Sequence, residues 1–290
     1  MSDPTPQLSF EFFPPRSAEQ RGSFERARDR LAALSPAYMS VTFGAGGSTR
    51  DRTREIVFGI GEATGIEAAP HISCMAESDE DIVALLDDYH SHGIKRLVVL
   101  RGDRPSGSGA GVFPYAVDLV RFIRERYGDA FYIEVACYPE HHPESRTPAD
   151  DLRNFQAKVA AGADGAITQY FFSAESYFRF VDEARSLGVD IPIVPGIMPI
   201  TNYTGLARFS QMCGAEIPLW IAKRLKAWDD VGDRESIVSF GEEVVTELCR
   251  RLLDGGVPGL HFYTLNRARA TLAVCRNLGL DRPARAATAS

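Results

Sequence analysis

The chain has 290 residues, 44% hydrophobic and 24% charged, the balance of a soluble globular protein with length for one large α/β barrel or two ordinary domains. A net charge of −7 argues against a general nucleic-acid surface, and no apolar run reaches transmembrane length, so no membrane partner is expected. The five cysteines, at 74, 137, 213, 249 and 275, form no CxxC pair. They suggest a reducing compartment and no zinc pattern, and the polar start lacks the apolar core of a signal peptide, so a cytoplasmic protein is expected.

The first element is a strand. In Leu8-Ser9-Phe10-Glu11-Phe12-Phe13, polar and apolar residues alternate with the period of a β-strand, and Pro14 and Pro15 stop it. Glu11 thus falls near a strand's carboxyl end among phenylalanines. Burial there would raise its pKa and suit it to general-acid work; an ion pair with Arg16 is the plainer alternative. A helix over 17–34 follows, with Phe24, Ala27, Leu31 and Leu34 on one face. A second strand over 38–43 opens into a glycine-rich loop, 44–51, and a helix to about residue 63. Strands at 67–73 and 95–102 bracket a helix over 79–92. A loop over 105–111 and a helix over 115–127 lead to a strand at 132–138. A helix over 149–161, a strand over 165–172 and a helix over 175–187 precede a proline-limited strand at 192–199. Helices over 201–212, 219–226 and 234–253 precede the eighth strand, 259–266, and a helix to 278. Residues 1–7 and 282–290 read as flexible tails.

Eight strands alternating with helices predict a parallel sheet closed into a single-domain (β/α)₈ barrel spanning residues 1–290, with extra helices before the last strand. A doubly wound open sheet is the alternative. It would leave edge strands, yet the first and eighth runs are no more polar than the rest, and no GxGxxG joins a strand to a helix.

In such a barrel the active site lies at the carboxyl ends of the strands. Those ends carry Glu11, Thr42, His71, Arg101-Gly102-Asp103, Tyr138 with His142, Gln169, and Tyr263 with Asn266 and Arg267. Nearly every strand therefore delivers a group able to donate, accept or carry a proton to one rim. His141 and His142 beside Glu140 and Glu144 offer metal-ligand types. Adjacent loop residues rarely converge on one ion without partners from elsewhere, so no metal is assigned. Neither glycine-rich loop is a phosphate-binding P-loop, because no Lys-Ser/Thr follows.

The motifs FEFFPPR (10–16), TFGAGGSTRDRT (42–53), EAAPHISC (67–74), LRGDRP (100–105), CYPEHHPES (137–145), GADGAITQYFF (162–172), PIVPGIMPI (192–200) and GLHFYTLNR (259–267) occur in an order that resembles methylenetetrahydrofolate reductases of the short bacterial form. The resemblance covers about residues 8–280. It implies a (β/α)₈ flavoprotein, a homo-oligomer, that passes a hydride from NADH or NADPH to FAD and then to 5,10-methylenetetrahydrofolate by a ping-pong scheme.

By motif position, the resemblance makes Glu11 the general acid toward folate N10 and Asp103 the carboxylate between pterin and flavin. Gln169 becomes a contact to both folate and nicotinamide, Phe209 and Arg267 become folate contacts, and Thr42 a nicotinamide contact. FAD would be held by Phe43, Ala45, His71, Arg101, Gly102, Asp103, Tyr115, Ala116, Tyr138, His142, Ser145, Asp151, Asn154 and Lys158. The chain departs from some relatives at Ala157, where they carry a basic residue, and at Gly205, where they carry a side chain. The chemistry agrees with these roles: reducing a methylene bridge first requires ring opening, hence an acid near N10. Other readings of the same barrel are a flavin-free reductase, a metal-dependent lyase or hydrolase using His71, His141, His142 and Glu140, and a non-catalytic folate binder.

Overall fold

The alternating run at the start of the chain becomes β1 (Gln7–Phe12), and the helical periods that follow become α1 (Ala18–Ala32) and its successors. The computed structural model describes residues 6–43, 47–74, 78–102 and 112–281, and of residues 47–51 the backbone alone. In order these hold β2 (Tyr38–Val41), α2 (Gly47–Thr64), β3 (Glu67–Ser73), α3 (Asp79–Ser91), β4 (Arg96–Leu100), α4 (Ala116–Tyr127), β5 (Tyr132–Cys137) and α5 (Pro148–Ala160). Then come β6 (Gly165–Thr168), α6 (Ala174–Ser186), β7 (Ile193–Val194), β8 (Gly196–Ile197), α7 (Tyr203–Cys213), α8 (Leu219–Asp230), α9 (Arg234–Asp254), β9 (Gly259–Tyr263) and α10 (Arg269–Asn277). Several helices start where the sequence supplies a cap: Ser17, Ser78, Thr147, Asn202 and Asp233 each accept a backbone N–H of the first turn.

All strand pairs are parallel, in the order β7-β6-β5-β4-β3-β2-β1-β9-β8. The expected seventh strand is two short ones. Pro195 has no N–H to give, so the run breaks there; Ile193–Val194 pairs with β6 while Gly196–Ile197 pairs with β9. Pro195 O still accepts from His261 N at 3.0 Å. The broken run therefore spans the gap between β6 and β9 and all but closes the barrel. Gly196 is required at this seam, since a Cβ there would fall 2.2 Å from Thr168 O.

Three expected boundaries move. Gln7, read as part of a flexible tail, is in β1, and its N–H donates to Pro258 O at 3.3 Å. The sixth strand ends at Thr168 rather than 172, because the buried rings of Tyr170 and Phe171 leave the ladder to pack beneath the helices. The last helix begins at Arg269 rather than 266, because Leu265 and Asn266 take positive φ of 50° and 56°. Residues 1–5 and 282–290 lie outside the described residues.

Period-two alternation sorts the strand side chains into two cores. Outward residues such as Phe10, Phe12, Ile72 and Phe262 join the helix faces in the main core, where Phe12 meets Phe24 edge-on at 5.3 Å. Inward residues Tyr38, Ala69, Val98 and Ile167 form a small separate cluster in the barrel lumen. Among the described residues no helix is long and apolar enough to cross a membrane. Phe10 is fully buried in the outer core, so Phe10→Ala should cost about 3–5 kcal/mol of stability, read from the shift in a urea unfolding curve.

Candidate active site

In-register parallel pairing decides what stands beside Glu11. Glu11 lies opposite Ser40 of β2 and Tyr263 of β9, and Ser9 lies opposite Tyr38 and His261. Partners in register share a face, so these side chains enter the lumen, as does His71 of β3, two residues beyond Ala69, the partner of Ser40. Phe10 and Phe12 point the other way. Glu11 is therefore not enclosed by the phenylalanines of its own strand, because a strand's neighbours face opposite sides; its surroundings are imidazoles. Glu11 Oε2 lies 3.4 Å from His71 Nε2 and 3.8 Å from His261 Nε2. The carboxyl is 19% exposed at the mouth, above side chains of 5% and 0% exposure.

Burial pushes the pKa of His71 down to about 4, against the pull of Glu11. The contact with Glu11 is thus not an ion pair at neutral pH. A neutral imidazole can donate to a carboxylate or accept from a carboxylic acid, so it serves both protonation states of Glu11.

The end of β1 is held from β9. Thr264 Oγ1 donates to Glu11 O at 2.6 Å. Asn266 Nδ2 donates to Phe13 O at 2.8 Å, and its Oδ1 accepts from Phe13 N at 3.0 Å. Asn266, a rim candidate in the sequence, thus acts as a clamp on the backbone. Tyr263 reaches across the lumen, and its hydroxyl donates to Thr168 O at 2.6 Å, directly below Gln169. Gln169 Oε1 accepts from Tyr170 N at 3.0 Å. Glu11 and Gln169 therefore share the carboxyl-end rim. Phe209 stands on α7, 43% exposed, and Arg267 is exposed on the loop after β9. Thr42 and Phe43 follow β2, where Thr42 O accepts from Thr53 Oγ1 at 3.2 Å.

The β4–β5 side carries a connected wall. Gly102 takes φ of +81°, a conformation that brings backbone close to a ligand. Arg101 pairs with Glu144 at 2.6 Å. Tyr138 meets the His142 ring edge-on at 4.6 Å, His142 N donates to Asp151 Oδ2 at 2.9 Å, and Ser145 N donates to His142 O at 2.9 Å. Tyr115 and Ala116 open α4, with the Tyr115 ring exposed, and Asn154 is exposed on α5. The Lys158 ammonium donates to Ala136 O near the carboxyl end of β5, and burial lowers its pKa against the pull of Asp151. Ala157 faces solvent. At Gly205 a Cβ would fall 2.9 Å from the Asn202 oxygen that caps α7. Glu140 Oε2 accepts from Glu216 N at 2.7 Å, tying the loop after β5 to the end of the helix that carries Phe209. Asp103 and Ala45 lie outside the described residues. Among the described residues, no three His, Cys, Asp or Glu side chains converge as metal ligands.

Sequence reasoning missed His261 and Ser9. Ser9 Oγ and His261 Nδ1 are 2.8 Å apart and buried. The available signal was parity: His261 stands between the apolar Leu260 and Phe262, at the same phase as Tyr263, so it had to face the lumen.

A family model described as methylenetetrahydrofolate reductase matches residues 2–279. The 5,10-methylenetetrahydrofolate reductase of Escherichia coli is 43% identical, covering 94% of this chain and 90% of its own. A rice protein named probable methylenetetrahydrofolate reductase (NADH) is 40% identical, covering 94% of this chain and 48% of its own. Among solved structures, a Clostridium thermocellum protein described as binding two copies of 5-methyl-5,6,7,8-tetrahydrofolic acid matches with a TM-score of 0.64 at 16% identity, over 96% of this chain and 95% of its own. That last likeness is one of fold.

The buried His71 has a consequence for stability. Its folded pKa of about 4 lies below the free value of 6.5, so the unfolded chain binds the extra proton between those limits. Stability is whole above pH 6.5 and falls as pH drops toward 4. From pH 7 to pH 5 this group should remove about 2 kcal/mol, and His71→Gln should lack that part of the slope in urea unfolding.

Proposed function

Because this chain belongs to the methylenetetrahydrofolate reductase family, a family of oxidoreductases acting on folates, we propose that it reduces 5,10-methylenetetrahydrofolate to 5-methyltetrahydrofolate with FAD and NADH or NADPH, and that Glu11 is its general acid. The observation that carries this reading is the Glu11 carboxyl at the open rim, set against two buried imidazoles and on the same side as Gln169.

The residues on the β4–β5 side suit the cofactor. Gly102 with its positive φ lets backbone approach a flat ring, and Tyr138, His142, Ser145 and Asp151 are already joined into one surface. The amino ends of α4 and α5 present backbone N–H groups and a helix dipole suited to phosphate. FAD, when bound, accepts a hydride from the nicotinamide and delivers one to the folate. The protein does the rest. Phe209 covers the substrate, and Gln169, with both donor and acceptor, reads a pterin edge or a carboxamide in turn. One mouth serving two substrates successively gives a ping-pong order. Glu11 gives its proton to folate N10, the bond from that nitrogen to the bridging carbon breaks, and the resulting iminium can be reduced. The His71 and His261 rings then meet the carboxylate left behind.

The purified protein should be yellow, and its flavin absorption should bleach on anaerobic addition of a reduced nicotinamide; a colourless protein that cannot be reconstituted with FAD would contradict the cofactor reading. Glu11→Gln should keep nicotinamide oxidation with menadione while folate reduction falls by about 10²–10⁴-fold. Parallel loss of both halves, or of neither, would remove Glu11 from this role. Phe209→Ala should raise the KM for the folate while flavin content stays constant.

A further inference from the structure

The lumen beneath Glu11 holds polar groups that the reaction at the mouth does not use. Ser9 sits one strand period below Glu11 on β1, and His261 stands beside both on β9. One ring nitrogen of His261 meets Ser9 Oγ at 2.8 Å, and the other lies 3.8 Å from Glu11 Oε2. The Tyr38 ring stacks on this imidazole, with centroids 6.0 Å apart and planes at 27°. Among the described residues, buried Ser40 Oγ and His261 Nε2 find no hydrogen-bond partner, and His71 Nε2 has only the 3.4 Å approach of Glu11 Oε2. Buried polar atoms are normally satisfied, and a polar cluster of this size is where internal water is held. At the amino ends of the strands, opposite the active-site mouth, a cavity of about 320 Å³ is lined by Ser9, Tyr38, Arg96 and Glu134 among others.

We propose that Ser9 and His261 form a proton relay through the barrel lumen, carrying protons from water in the amino-end cavity to Glu11. The proposal rests on the reading of Glu11 as the acid. Once a flavin and a folate fill the mouth, the carboxylate is screened from solvent above, and the lumen offers a second approach. After Glu11 has protonated the folate, its oxygen takes the proton of His261 Nε2, directly or across one bridging water. His261 Nδ1 takes the hydroxyl proton of Ser9, and Ser9 Oγ takes one from cavity water. Each step breaks one O–H or N–H bond and forms another, and the cavity water regains its proton from bulk solvent at the amino ends of the strands, so the net result is import of one proton. His261 then regains a donor toward Glu11 when its ring turns about the Cβ–Cγ bond, carrying the new N–H to the Glu11 side and leaving a bare nitrogen toward Ser9.

The groups facing His261 are Glu11 and Ser9 from β1, Tyr38 from β2, His71 from β3, Arg96 from β4, Glu134 from β5 and Tyr263 from its own strand. Arg96 Nη1 is occupied by Glu134 Oε1 at 3.2 Å. His71, kept uncharged with a pKa near 4, steadies the carboxyl without storing a proton. His261 is thus a positioning residue: it acts on the folate only through Glu11.

The test separates a first turnover from later ones. In pre-reduced wild type and His261→Gln the Glu11 carboxyl is open to solvent before folate arrives, so the first folate reduction by His261→Gln should proceed within about twofold of wild type. Steady-state folate reduction by His261→Gln should fall at least about tenfold and slow further in heavy water, while menadione reduction and flavin content hold. Ser9→Ala should behave like His261→Gln, and Ser9→Thr, which keeps the hydroxyl, should recover the rate. A readout without cofactor comes from nitrogen-labelled histidine in the unliganded protein: the His261 ring resonances should move in Glu11→Gln and in Ser9→Ala. First and later turnovers falling together, neither falling, or His261 resonances indifferent to both substitutions would overturn the relay. A Glu11→Gln protein that still reduces folate would instead overturn the assignment of the acid.

Discussion

The in-register parallel pairing of β1 between β2 and β9 is the constraint on which the site depends. It sets Ser9 beside Tyr38 and His261, and Glu11 beside Ser40 and Tyr263. A slip of one residue would turn Glu11 out among the helices and bring Phe10 or Phe12 into the lumen. The apolar side chains on the outer face oppose that slip, since both phenylalanines are fully buried there. The hydrogen bonds from Thr264 and Asn266 to Glu11 O and Phe13 then fix where β1 stops. Packing on one face of the strand thus positions chemistry on the other.

The two faces make opposite contributions to stability. The outer face joins one continuous apolar core with the helices, and burial there supplies the driving force for folding. The lumen contains a smaller apolar patch on β2 to β6, opposed by Ser9, Glu11, His71 and His261. Burying such groups without full hydrogen bonding costs free energy, and it is at functional sites that proteins tolerate it. Closure of the barrel follows the same logic: Pro195 breaks the ladder, yet its carbonyl and Gly196 keep β6 and β9 bridged, and the close approach at Gly196 leaves no room for a side chain.

The order of elements was legible in the sequence because both hydrophobic periods are strong and glycine or proline marks most boundaries. The rim residues follow from strand ends, and the structure sets Glu11 and Gln169 on one rim with His71 buried just beneath. Three features were not legible. The surroundings of Glu11 were misread from its chain neighbours, because adjacency in a strand means opposite faces. His261 lies inside an apolar run, and its partners Ser9 and Glu11 are about 250 residues away in the chain, so only register could join them. The direction of Lys158, toward Ala136 O, depends on how α5 packs behind β5, which residue identity does not encode.

On the proposed function, the Glu11 carboxyl faces the reacting nitrogen of a folate at the carboxyl-end mouth. A crystal structure of the Glu11→Gln protein with bound methyltetrahydrofolate tests it most directly. The pterin should lie beside Gln169, with the side chain at position 11 as the polar group nearest N10 and His71 and His261 beneath it. A folate bound with N10 turned away from position 11, or seated outside this mouth, would contradict it.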